Sequence, residues 1–442
     1  MINGRTHQAD AVTAMTVLVV LVFIVPSQLI VKPLGASGTP AYLLGMLLLG
    51  WWSLVLLAPH LGLRPRQQPV RLAVLLFGAA ILASYSAAML RPATAEEVIS
   101  ADRGLLAAAA WLGIALLAAD GIRSRDRLDT LLRRLVHGAF FLAVLGLLQF
   151  TFGLDIAGYL HYPGLSVNGE LGFIQERSGF RRVAGTATHP IEFGVTLALL
   201  LPLALHYAFH AADRGKVLRW LEVLVIAVAL FTSLSRAAFV AVAVAGLVMF
   251  PSWPRDRRRR ALLVLPVFLV GVRLAIPGLV GTVLSLFTNV ASDPSTTARM
   301  DRYGIAGHFL AERPIFGRGL FTFLPNQYLI FDNQYVLAAV ELGLVGMCVL
   351  VAIFLVAAGA ARGARHRLRD EPGRELGQTL AAAALAAGTT LATYDAFSFP
   401  MATVVTFLLV GACGALWRLS VPPLPEAAPN ASRIPARPVW AG

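Results

Sequence analysis

The stretch Arg181-Arg182-Val183-Ala184-Gly185-Thr186-Ala187-Thr188-His189-Pro190-Ile191-Glu192-Phe193 runs out of a polar loop and into an apolar run centred near Leu199. It places two cations, a flexible glycine and a helix start side by side at the edge of an apolar span. A helix start offers unpaired backbone N–H groups that favour an anion. The rest of the chain reads outward from this junction between loop and span.

The chain of 442 residues is 57% hydrophobic and 14% charged. Its mean hydropathy of +0.71 excludes a soluble domain and points to a polytopic membrane protein. A net charge of +13 would suggest nucleic acid in a soluble chain. Here most arginines gather in short connections between spans, including the run Arg255, Asp256, Arg257, Arg258, Arg259, Arg260, so no nucleic-acid partner is expected. Cys348 and Cys413 fall inside apolar runs and read as small buried hydrophobes.

Apolar runs centre near Val22, Leu48, Leu76, Trp111, Val144, Leu199, Val225, Val244, Phe268, Leu350, Leu385 and Phe407. Each is about as long as a bilayer core requires, so the expected fold class is an all-α membrane bundle of about twelve transmembrane helices. The first run, Thr13 to Val31, is long enough to be a retained helix rather than a signal peptide. Residues 1–420 read as a single transmembrane helical domain. Residues 421–442, with Pro422, Pro423, Pro425, Pro429, Pro435 and Pro438, read as a disordered cytoplasmic tail.

The arginine-rich connections, with Arg64 and Arg66, Arg123 to Arg134, Arg214 to Arg219, Arg255 to Arg260, and Arg362 to Arg374, fall at every second turn of the chain. The positive-inside rule then puts both termini in the cytoplasm, as expected for a protein of the bacterial inner membrane. Two long loops, about 154–189 and 282–335, and the tight turn Ser233-Leu234-Ser235-Arg236 face the other, periplasmic side. Those loops carry Arg177, Arg181, Arg182, Arg299 and Arg302 where translocated loops normally carry few cations. In the second loop, Asp293-Pro294 reads as a cap and first helical residue of a surface helix over Ser295 to Glu312. On that helix Arg299, Arg302 and Tyr303 share one face.

Guanidinium groups bind phosphate oxygens through paired donors at any working pH, so Arg182, Arg236 and Arg299, with Arg181 and Arg302 nearby, suit a pyrophosphate. The competing reading pairs these arginines with Glu170, Glu176 and Asp301 or with lipid headgroups. Asp332 reads either as a general base for a sugar hydroxyl or as the cap of the following helix, with Asn333 and Gln334 placed to hold hydroxyls. His189 and Glu192 are competing bases. No set of ligands on this face has metal spacing, and no P-loop motif occurs, so neither a metal nor another cofactor is expected.

Three segments carry a resemblance: Arg182-Val-Ala-Gly185-Thr186 with His189-Pro190, Ser235-Arg236 at the start of an apolar helix, and Arg299 with Tyr303. They are followed by Glu312-Arg313-Pro314-Ile315-Phe316-Gly317-Arg318-Gly319 and by Asp332-Asn333-Gln334-Tyr335 up to Glu341-Leu-Gly343-Leu-Val-Gly346. In this order they resemble the O-antigen ligase and O-antigen polymerase family of bacterial envelope proteins, over about residues 140–350 in pattern and the whole chain in topology. The resemblance implies a metal-independent, inverting glycosyltransferase at the periplasmic face. Its donor would be a glycan on undecaprenyl pyrophosphate, held by Arg182, Arg236 and Arg299. Its acceptor would be another glycan or a lipid-linked one, and its partners membrane lipid and other envelope polysaccharide-assembly proteins. Asp332 stands where the ligases usually have histidine, which favours polymerisation over ligation. The alternatives are a transporter or flippase of a lipid-linked anion, and a structural scaffold.

Overall fold

A computed structural model describes residues 10–57, 68–168, 175–177, 179–210, 215–288 and 294–421, with the backbone alone for Arg177 and residues 294–301. Arg64, Arg66, Glu170, Arg214, Asp293 and the proline-rich tail 422–442 lie outside the described residues, as do the side chains of Arg299 and Asp301.

The chain opens with α1 (Ala11–Ile24), the short strand β1 (Leu29–Ile30) and a 3-10 segment over Lys32–Gly38. Then come α2 (Pro40–Leu57), α3 (Pro69–Met89), α4 (Ala95–Gly121) and α5 (Arg125–Phe152). The first long loop contains α6 (Ile156–Tyr159), β2 (Ser166–Val167) and a hairpin of β3 (Gln175–Arg177) and β4 (Phe180–Arg182). Next are α7 (Pro190–His210), α8 (Lys216–Thr232), α9 (Arg236–Met249), α10 (Arg255–Ala275) and α11 (Leu279–Thr288). The surface helix α12 (Pro294–Glu312) lies in the second long loop, before α13 (Gln334–Arg367), α14 (Glu371–Thr390) and α15 (Pro400–Leu419).

This is a helical, multi-pass membrane architecture, and each of the twelve apolar centres falls within a helix. Among the described residues seven helices are long and apolar enough to cross a membrane, or eight if the bent pair α10 and α11 counts as one span. The first run is shorter than its composition suggests. Its helix stops at Ile24 because Pro26 disfavours helical backbone at Val25, which is extended. Leu29 and Ile30 instead pair with Val167 and Ser166. The second long loop also starts later than 282, since α11 continues to Thr288 after a 114° bend from α10.

The core is built around α15 and α7, whose most apolar windows are 94% and 83% buried. Close approach depends on small residues. A side chain at Gly113 would overlap the α2 backbone at Gly45 and Leu49, and one at Gly411 would overlap Ala115 and Ala118 of α4. One end of the bundle gathers ion pairs, with Arg127 on Asp10, Arg71 on Asp120 at 3.2 Å, and Arg257 on Glu375 at 2.6 Å. The opposite end gathers the long loops, where Ser27 donates its N–H to the Thr186 carbonyl and β1 meets β2.

At this second end α13 is broken. Gly343 has φ 69° and ψ −177°, a conformation that is almost exclusive to glycine. The break releases backbone groups that apolar surroundings cannot solvate, and the 314–319 segment takes them up. Arg318 and Gly319 donate their N–H groups to the carbonyls of Val340 (3.1 Å) and Glu341 (2.8 Å). Leu344 and Val345 donate to Pro314 (2.8 Å) and Ile315 (3.3 Å). A Cβ at Gly317 would overlap the backbone of Glu341 and Gly343, and a Cβ at Gly343 would overlap Ile315. The side chain of Arg318 then reaches Tyr328 Oη at 2.8 Å and Glu97 at 3.4 Å, tying this loop to the start of α4. Gly343→Ala is therefore expected to destabilise the fold by about 1–3 kcal/mol or more, from the forbidden backbone and the overlap together. A thermal melt in detergent indistinguishable from wild type would contradict the tight pairing.

Candidate functional site

The loop around Arg182 is held by backbone bonds before its cations are placed. Gln149 Oε1 of α5 accepts from the N–H groups of Ala184 (2.9 Å) and Gly185 (3.0 Å), and Thr186 Oγ1 donates to the Phe23 carbonyl at 2.8 Å. Gly185 has φ +59° and packs against Leu142 and Phe193, so the motif glycine serves both a left-handed turn and close contact. Arg182 lies at the end of β4. Its Nε donates to the Ser233 carbonyl at 3.2 Å and its Nη1 to Gln175 Oε1 at 3.1 Å.

That bond joins Arg182 to the turn that presents Arg236. Leu234 in the turn has φ +47°, costly for a branched side chain. Its side chain is fully buried against Val272, Leu279 and Val283, and this packing holds the backbone there. Arg236 begins α9, whose N-cap Ser235 makes no side-chain cap bond. The buried Ser235 Oγ has no hydrogen-bond partner among the described residues. Arg182 and Arg236, which are 54 positions apart in sequence, thus flank one turn with helical N–H groups beside them. Arg181 is exposed on the same strand, next to Gly153.

His189 and Glu192 divide in role. The His189 Nδ1 accepts from the Ile191 N–H at 3.1 Å, which leaves the proton of a neutral ring on Nε2. Burial first, and the Arg182 charge second, lower the imidazole to about 4. A neutral ring with Nε2–H presents a donor on that nitrogen rather than the lone pair a base would use. Glu192 is fully buried. It accepts from the N–H groups of Thr188 (2.5 Å), Met401 (2.6 Å) and Ala402 (3.3 Å). It therefore caps α15 and braces that helix against α7, which corrects its reading as an accessible base.

The second long loop supplies the other side. The surface helix expected over 295–312 is present as α12 and packs on α13. Arg302 donates to the Ile330 carbonyl at 2.8 Å and lies 3.9 Å from Asp332. Tyr303 is 41% exposed. Arg299 lies one helical turn before Arg302 on the same helix, and its side chain is not described. Asn333, expected to hold hydroxyls, is instead the N-cap of α13, accepting from Tyr335 (3.0 Å) and Val336 (3.3 Å). With that role filled by Asn333, Asp332 is left off the helix at the rim. Gln334, also expected to hold hydroxyls, is 1% exposed and accepts from the Phe397 N–H at 2.9 Å.

That last bond reveals a third loop, which reads in the sequence as a brief break between apolar runs. Residues 391–399 fold over the start of α13, and Asp395 comes within electrostatic reach of Asp332. The ring of Phe399 lies 5.8 Å from that of His189, joining this loop to the Arg182 side. No spacing along the chain marks Asp395. Its one signal is a carboxylate in a short connection on the periplasmic side of the expected topology.

At the opposite end, His206, His210 and Glu375 place their ligand atoms within 4.8 Å of one another. Glu375 is occupied there, accepting from His210 at 2.7 Å and from Arg257 at 2.6 and 2.7 Å, so the group reads as an ion-paired brace between α7, α10 and α14. A cavity of about 450 Å³ on that side is lined by Arg362, Arg365 and His366, far along α13 from Asp332.

The Arg182–His189 geometry carries a direct test. The His189 ring should titrate near pH 4 by NMR, and Arg182→Ala should raise that midpoint. Because folding lowers this pKa from its ordinary 6.5, protonation favours the unfolded chain. His189 therefore costs nothing above 6.5 and weakens the fold progressively as pH falls toward 4. A midpoint near 6.5 in both proteins would separate the two residues.

Residues 221–351 match the family model described as O-antigen ligase. The match contains Arg236, Arg299, Arg302, Tyr303, Asp332 and Asn333, whereas Arg182, His189 and Asp395 lie outside it. No curated protein matches the chain. From α8 through the turn that presents Arg236 to the broken helix after Asp332, this multi-pass membrane protein is thus similar to the O-antigen ligase family.

Proposed function

We propose that the protein is an inverting glycosyltransferase that needs no metal and acts at the periplasmic face of the inner membrane on a glycan carried by undecaprenyl pyrophosphate. Polymerisation of a surface polysaccharide is the favoured reaction and ligation to a separate acceptor the second. The observation that carries this reading is the bond from Arg182 to the turn that presents Arg236, with the neutral His189 donor beside it. Two guanidiniums, helix-start N–H groups and an imidazole N–H suit one diphosphate better than any cation or neutral ligand.

The chemistry is set by the leaving group. A lipid diphosphate departs as negative charge accumulates on its bridging oxygen, and fixed cations in a partly dry site lower the barrier by neutralising that charge. Arg299, one turn from Arg302 on α12, is assigned to the same diphosphate from the other side. The acceptor hydroxyl must approach the anomeric carbon opposite the leaving group. The pair of Asp332 and Arg302, with the exposed Tyr303 on the same helix as Arg302, is assigned to that approach, and the Phe399–His189 ring contact supports its nearness to the Arg182 loop. A carboxylate there takes the hydroxyl proton, Asp332 being the one legible in sequence. The aspartate in place of histidine supports the polymerase reading.

Arg182→Ala, Arg236→Ala and Arg299→Ala are each expected to lower turnover by roughly 100-fold or more while leaving membrane insertion intact. Purified protein mixed with a synthetic lipid-linked repeat unit provides the measurement. Longer lipid-linked chains identify a polymerase, and transfer to a separate acceptor identifies a ligase. Transbilayer movement of labelled donor with no chemical change would replace this reading with transport. Full activity in all three variants would remove the diphosphate assignment.

A further inference from the structure

Asp395 belongs to the α14–α15 connection, outside the segment that matches the family model. Its distance from Asp332 is set by a clamp rather than by chance surface packing. The Gln334 N–H donates to the carbonyls of Leu391 (2.7 Å) and Tyr394 (3.1 Å), while Gln334 Oε1 accepts from the Phe397 N–H (2.9 Å). Gln334 lies two residues after Asp332 and Tyr394 immediately precedes Asp395, so these buried bonds hold the two chain segments that carry the aspartates beside one another, with the Asp332 charge felt at Asp395. Tyr335 reinforces the clamp, its hydroxyl donating to the Gly388 carbonyl at 2.6 Å.

The groups around Asp395 differ in what they can do. Arg302 of α12 lies at Asp332, holding that carboxylate in a charged pair. Glu192 of α7 is consumed by three backbone N–H groups, and His189, just before that helix, presents a donor. Tyr394, in the same loop, is buried. Asp395 is half-buried, and among the described residues no cation pairs with it. Burial first, and the Asp332 charge with it, raise its carboxyl to about 6 against the lowering hydrogen bond from Ser398. A partly desolvated carboxylate raised in this way is a competent proton acceptor near neutrality.

We propose that Asp395 is the proton acceptor of the transfer reaction, with Asp332 and Arg302 orienting the acceptor hydroxyl beside it. This assignment rests on the transferase reading. The acceptor oxygen forms its bond to the anomeric carbon as its O–H bond breaks. The bond from that carbon to the diphosphate oxygen breaks in the same displacement, the electron pair leaving with the diphosphate. The proton passes to a carboxylate oxygen of Asp395 and from there to solvent, which restores the base.

The test uses the full chain with the synthetic lipid-linked repeat unit and tracks turnover against pH. Wild-type turnover should fall as pH drops through about 6, because the base must be deprotonated. Asp395→Asn should lower kcat by about 100-fold or more, leave donor binding intact and abolish that acid limb. Asp395→Glu should recover part of the turnover and retain a limb. Asp332→Asn removes the neighbouring charge, so its residual activity should show the limb moved to lower pH. A merely structural role for Asp395 would not move a pH profile in this way. Asp395→Asn protein that binds donor and turns over like wild type, with the limb in place, would overturn the assignment and leave the transferase reading standing. Wild-type protein that leaves the donor chemically unchanged would overturn both. If Asp395→Asn fails to fold, the decision passes to Asp395→Glu and Asp332→Asn, where a limb unmoved in both would also refute it.

Discussion

Backbone groups inside an apolar bundle must find partners within the protein, and the break of α13 at Gly343 organises one whole end of the molecule around that constraint. The carbonyls of Val340 and Glu341 and the N–H groups of Leu344 and Val345 are answered by residues 314–319. A loop that would otherwise lie on the surface is thereby threaded into the bundle. Arg318 is drawn in with it and reaches Glu97 and Tyr328. The glycines of the Phe316-Gly317-Arg318-Gly319 segment and the glycine in α13 are therefore two halves of one contact. That contact ties the segment that follows α12 to the first half of α13.

The same economy governs the other loop. Gln149, a single polar side chain in an apolar helix, accepts from two successive N–H groups of the Arg182 loop. Glu192 does similar work for the start of α15. Buried polar side chains in this protein mostly satisfy backbone at helix ends. Arg302 and Asp332 pair at the rim near Asp395, and Arg182 and Arg236 flank the turn at Ser233. Two of the three bases expected from sequence, His189 and Glu192, lose that role for this reason: each presents its lone pairs to backbone donors.

The helical character and the positions of all twelve apolar runs were legible because hydrophobic length is a local property of sequence. The extent of individual spans was less so. Pro26 ends α1 early, and α10 and α11 form a bent pair reaching Thr288 where the sequence reads as one apolar run centred near Phe268 and a loop from 282. The surface helix α12 was legible from its proline start and helical spacing. The proximity of Arg182 to the Arg236 turn was inferred from their shared side of the membrane, although no periodicity connects residues on different helices.

Sequence by itself determined a membrane bundle, its long connections and the arginine, histidine and aspartate residues they carry, since residue type and hydropathy suffice for these. Tertiary structure alone decided which of them hold backbone groups and which segments come together. Asn333 rather than Asp332 caps α13, Glu192 is enclosed by N–H groups, and Asp395 is carried to Asp332 by the bonds that Gln334 makes across the helix ends. The physical reason is that a carboxylate's basicity depends on its desolvation and its neighbours, and those are fixed only when distant segments pack together.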